Sequence, residues 1–122
     1  MKKAIFTMIG LLMFWTSAWA DETLDADGVR KLISGNTVHG LTKDGKNPKI
    51  HFAADGTAIR KEEDGAVREG KWQVKDDGSQ CVTGLPGGCA KIVRNDDGSY
   101  SRVFPDGSVP LKWTAIVNGK DF

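Results

Sequence analysis

The chain has 122 residues, with 17 Lys and Arg against 16 Asp and Glu and a formal net charge of +1. That near-neutrality argues against nucleic acid and anionic membranes as partners, because neutralising phosphates needs a net basic face. The length suits one small domain with a modest core, and the two cysteines suffice for a single covalent staple.

Lys2 and Lys3 precede an uncharged, mostly apolar run from Ala4 to Trp15, and Ala18-Trp19-Ala20 places small residues at the cleavage-recognition positions. The run is too short to cross a hydrocarbon layer, which takes about 20 apolar residues. Residues 1–20 therefore read as a signal peptide cleaved after Ala20. Residues 21–122 read as a single β-rich domain in the periplasm or secreted. No cysteine stands near the cut, so no lipid anchor is expected. Without Lys2 and Lys3 the balance is 15 basic to 16 acidic residues, a formal charge of −1. No membrane association is expected after cleavage.

The first element of the mature chain breaks the pattern of the rest. Asp25 or Asp27 can cap a short helix over 25–34, with Val29, Leu32 and Ile33 at helical spacing and Gly35 as its stop. From there the punctuation is Asp-Gly, at 27–28, 44–45, 55–56, 64–65, 77–78, 97–98 and 106–107. Asp bonds its own following backbone and Gly accepts positive φ, so each pair signals a turn. Between the pairs lie runs rich in Val, Ile, Thr and aromatics. They predict strands over 37–41, 49–53, 57–61, 67–74, 80–83, 90–94, 100–104 and 111–117.

Alternation assigns faces within these runs. Ile50 and Phe52 share one, as do Trp72 and Val74, and as do Tyr100, Arg102 and Phe104. Leu111, Trp113, Ala115 and Val117 share another. Gly70 interrupts its run as a bulge would. The expected fold is mainly β: one short N-terminal helix, then about eight antiparallel strands as a small barrel or strongly curled sheet, which removes exposed edges.

Cys81 and Cys89 enclose the turn-rich stretch VTGLPGG. A disulfide closing about nine residues stabilises by roughly 2.6 kcal/mol, less any strain. The spacing is not Cys-x-x-Cys, and a zinc site would need His39 and His51 as well. Counting from Asp25, Val29, Arg30 and Asn36 fall where a calcium loop needs oxygen ligands and Gly. No metal and no cofactor are expected. Leu85 and Pro86 sit at the tip of the stapled hairpin as candidate contacts for a protein partner.

Trp72, Tyr100, Arg102 and Trp113 are candidates for a pocket in a barrel mouth, though aromatics in a small barrel also serve simply as core. Arg102 is then a rim residue or an anchor for an acidic ligand. Catalysis has less behind it: His39 and His51 sit in separate strands with no signature nucleophile beside them. The expected function is a non-enzymatic, monomeric binding module, for a small ligand in the mouth or a protein at the tip. The alternative is a small hydrolase or isomerase using His39 or His51 with a carboxylate.

"GNT" (35–37) after a short helix, "FAADGT" (52–57), "GKW" (70–72), "CV" (81–82), Cys89 and Tyr100 resemble small secreted bacterial proteins of the domain of unknown function 995 type. The resemblance covers most of the mature chain. It implies a compact, mainly antiparallel sheet or barrel with paired cysteines, and no established activity.

Overall fold

In the computed structural model, which describes residues 22–122, six of the seven Asp-Gly pairs close the same tight turn. Ala53–Thr57 is representative: Gly56 N–H donates to Ala53 O at 3.0 Å and Ala53 N–H to Thr57 O at 2.8 Å. The six glycines hold φ between +87° and +97°, the left-handed residue of a three-residue hairpin loop. In five of these turns the Asp Oδ1 accepts the N–H two residues on at 2.9 Å. Asp27-Gly28 is the exception, because it lies in the first turn of a helix. The expected signal peptide, residues 1–20, lies outside the described residues.

The elements run β1 (Glu22–Thr23), α1 (Ala26–Ile33), β2 (Asn36–Thr42), β3 (Lys49–Phe52), β4 (Thr57–Lys61), β5 (Val67–Val74), β6 (Gln80–Thr83), β7 (Gly88–Arg94), β8 (Tyr100–Val103) and β9 (Leu111–Asn118). The helix is therefore not the first element. The short β1 precedes it, pairing Glu22 with Arg94 and Thr23 with Val93 of β7. From β2 to β9 each strand pairs antiparallel with the next, and β9 returns to β2, for example Thr37 against Val117. The result is a closed eight-stranded barrel, not an open curled sheet.

Alternation fills the interior with Val38, Ile50, Phe52, Ala58, Ile92, Leu111 and Trp113, all buried. Helix α1 stops the end at which β2 begins. Asp25 is its cap, accepting from Gly28 N–H at 2.8 Å, and Arg30 Nη2 ties the helix to Val74 O at 3.0 Å. Val29 and Ile33 are fully buried on its inner face, worth about 1.5–3 kcal/mol each relative to exposure.

Two face assignments change. Ladder register shifts between His39 and Gly40, where β9 skips Thr114. Trp113 thus faces inward, Ala115 is exposed, and Ile116 rejoins the core beside Val38. Leu111, Trp113, Ala115 and Val117 do not share one face, because the extra residue moves the alternation by one. Gly70, by contrast, is no bulge: it pairs in register with Ala58. A Cβ there would stand 2.4 Å from Thr83 O and 2.9 Å from Leu85 Cγ, so glycine lets the β6–β7 tip fold close across β5.

Candidate functional site

At the barrel end opposite α1, residues 84–87 of the β6–β7 hairpin bend inward over the mouth. Leu85 packs against the core. Cys81 and Cys89 face each other across β6 and β7 and are joined as a disulfide. Because Gln80 and Val82 point inward, the staple lies on the outer wall, at the base of the tip. The two sites expected separately from the sequence, mouth and hairpin tip, are thus one place, with the tip as the lid of the mouth.

Beneath the lid is a cavity of about 20 Å³, room for about one water-sized group. Leu85, Pro86, Arg102 and Trp113 line it, as do Arg60 and Gln80. Arg102 is 3% exposed and is therefore no rim residue. Its Nε donates to Gln80 Oε1 at 3.0 Å and Nη2 to Gln80 O at 2.8 Å. Nη1 reaches Gly87 O at 2.8 Å and Nη2 Gly88 O at 3.0 Å. All four acceptors are neutral, and Arg102 forms no ion pair among the described residues. Burial, reinforced by the positive charge of Arg60, pulls its pKa down to about 10. Arg60 itself donates to Glu62 at 2.8 Å, and Glu62 also accepts from Arg68 at 2.6 Å.

Gln80 Nε2 and Trp113 Nε1 are buried and have no hydrogen-bond partner among the described residues. Buried polar atoms are nearly always partnered, so two unspent N–H groups around one cavity call for an acceptor. Arg60 and Gln80 were missed in reading the sequence. The signal was present: Arg60 alternates with buried Ala58, and Gln80 with Val82, on the faces that turn inward.

Trp72 and Tyr100 do not join the cavity lining. Trp72 Nε1 donates to Ala53 O at 2.8 Å, and its ring meets Phe52 edge-on at 5.6 Å between centroids. Tyr100 packs against the core.

The histidines occupy the outer wall of β2 and β3 under the C-terminal tail. His39 Nε2 lies 2.7 Å from Asp121 Oδ2, which Lys49 Nζ approaches at 3.5 Å. The hydrogen bond from His39 holds the Asp121 carboxyl below the ordinary carboxylate value. Thr37, fully buried, donates to Gly119 O at 2.7 Å and accepts Asp121 N–H at 3.0 Å. Its remaining lone pair faces His51 Nδ1 at 3.2 Å, so His51 carries its proton on Nδ1. Neither histidine lines the cavity.

Among the described residues, no group of three His, Cys, Asp or Glu side chains is placed to hold a metal ion, and no helix is long and apolar enough to cross a membrane. Compared with family models, curated proteins and solved structures, the chain matches none.

Proposed function

We propose that the protein is a non-enzymatic binding module of the periplasm or secreted space, holding a small ligand in the barrel mouth under the stapled tip. One observation carries this reading: the cavity beneath residues 84–87 is lined by a buried guanidinium and by Gln80 and Trp113, whose buried N–H groups have no partner among the described residues. Eight-stranded barrels have an interior just wide enough for side chains or one small ligand. Arg102 grips the lid through two carbonyls, and a ligand acceptor can take their place when the lid lifts. The disulfide favours an oxidising compartment, in keeping with an exported chain. The resemblance to the 995-type proteins carries the same expectation of a secreted barrel.

Docking of a protein at the tip has less behind it, because Leu85 turns inward and leaves the tip little apolar surface to offer. A hydrolase built on His39 and Asp121 has less again, since that pair lies on the outer wall and lines no part of the mouth cavity. A thermal-shift screen of residues 21–122 against small metabolites tests the binding reading. A true ligand raises the unfolding midpoint and slows amide exchange at residues 85–88. A broad screen with no shift, and tip exchange unchanged throughout, overturns it.

A further inference from the structure

We infer that the mouth cavity takes one anionic acceptor atom: a halide ion, or a single oxygen of a small monocarboxylate. The inference rests on the barrel-mouth reading and names the chemical class of its occupant.

Charge is the first argument. Arg60, Arg68 and Arg102 lie towards this end of the barrel, and among the described residues Glu62 is the one carboxylate paired with any of them. Arg102, the most deeply buried, bonds only to neutral oxygens. A buried charge without a counter-charge is costly, and an anion beside it removes that cost.

Hydrogen-bond balance is the second. A guanidinium has five donors, and Arg102 spends four. Its last Nη1 hydrogen, Gln80 Nε2 and Trp113 Nε1 remain without acceptors. Gln80 Oε1 and the carbonyls of Gln80, Gly87 and Gly88 are already engaged by Arg102. The lining is thus rich in donors and poor in acceptors. Water placed there must also donate, whereas an anion only accepts.

Size is the third. About 20 Å³ suits one large atom better than the four oxygens of sulfate or phosphate. The neighbouring Ile50, Phe52 and Leu111 make the surroundings apolar, which strengthens attraction to a single charge.

The experiment uses the mature chain in a buffer whose only small anion is sulfate, the bulky control, at constant ionic strength. Sulfate is replaced stepwise by chloride, bromide, formate or propionate. The unfolding midpoint should rise with the logarithm of the effective anion's concentration once the site is filled. Bromide should quench tryptophan emission to a plateau, because Trp113 borders the site. A rise with halides identifies a free ion as occupant, and a rise with carboxylates alone identifies the head of a larger ligand.

Gln80→Glu places a carboxylate beside Arg102 at nearly constant volume. That variant should stay folded and lose the anion-dependent shift. An unchanged midpoint when the baseline anion gives way to chloride, bromide, formate or propionate in the native protein overturns the inference, as does an unaltered anion response in Gln80→Glu. A neutral compound that stabilises native protein and Gln80→Glu alike, without any anion effect, preserves the binding module and removes its anionic occupant.

Discussion

Arg102 Nη1 donates to the carbonyl of Gly87 at 2.8 Å, so a side chain of β8 clasps the tip of the β6–β7 hairpin across the barrel mouth. Met in place of Arg102 keeps the bulk and removes every donor. Relief of a buried charge partly offsets the loss, but Gln80 Oε1, which accepts from Arg102 Nε, is left buried without that donor. Arg102→Met should lower stability by about 2 kcal/mol and speed amide exchange at residues 87–89. Urea unfolding and native-state exchange check this, and an unchanged midpoint with unchanged tip exchange contradicts the clasp.

Gly70 and Gly65 separate crowding from backbone strain. A Cβ on Gly65 meets nothing within 4 Å but must adopt φ +97°, whereas one on Gly70 strikes Thr83 O and Leu85 Cγ. Gly70→Ala should cost about 1–3 kcal/mol, the range for overpacking, and displace the tip. Gly65→Ala should cost about 1 kcal/mol without touching the mouth. Thermal unfolding of both, with tryptophan emission as the probe of the mouth, tells them apart.

The Cys81–Cys89 bond joins directly opposed residues. Cys81→Ser, or reduction, should lower stability by up to about 2.6 kcal/mol through the freed loop entropy, while the barrel persists. Equal unfolding midpoints with and without reductant would show that the staple adds nothing.

Thr37 is the peg of the C-terminal tail. Val at this position fills the same space but orphans Gly119 O, Asp121 N–H and His51 Nδ1–H. Thr37→Val should destabilise by about 1–3 kcal/mol and free residues 119–122, seen as sharpened resonances of Lys120 to Phe122 by NMR.

Acid should act mainly on the turns. Hydrogen bonds from the residue two positions away hold Asp55, Asp77 and Asp106 (backbone N–H foremost) and Asp97 (the Ser99 hydroxyl foremost) below the ordinary carboxylate value of 3.8. The Thr42 hydroxyl does the same to Asp44, and His39 to Asp121. A depressed folded pKa means that the unfolded chain binds the proton more readily. The stability from these groups is therefore complete above 3.8 and drains away as pH falls through their lower folded values. The unfolding midpoint should be flat down to about pH 5 and then fall. Asn at Asp77 and Asp106 together keeps the turns and should shallow that fall; an identical acid limb in the double variant speaks against the turns as its source.

Much of this architecture was legible locally. The Asp-Gly turns and the alternation in runs such as 57–61 and 80–83 place their strands to the residue, because a hairpin is specified by its own few residues. Closure into a barrel was expected as one of two outcomes, but the register of the β2–β9 seam was not legible, since nothing near Thr37 indicates that Val117 will lie beside it. The slip at Thr114 escaped for the same reason: it is a property of the pairing and leaves no mark on the strand alone. Arg102 was recognised as important but its depth was not, because arginine ordinarily keeps its head in water. Gln80 and Arg60 were legible by parity alone and passed unnoticed as ordinary polar residues. His39 met its carboxylate only through the tail, 82 positions away at Asp121, whereas His51 faces the Thr37 hydroxyl directly across the β2–β3 pair.

The β2–β9 seam also constrains how the chain comes to be folded. A polypeptide delivered from its amino end completes six neighbouring hairpin contacts before the last strand arrives to zip the cylinder shut. Until then β2 and β8 lie bare, each a row of backbone groups ready to recruit a stranger. Any truncation before Leu111 therefore converts a self-contained object into a sticky ribbon, and the final dozen residues guard the solubility of all those before them.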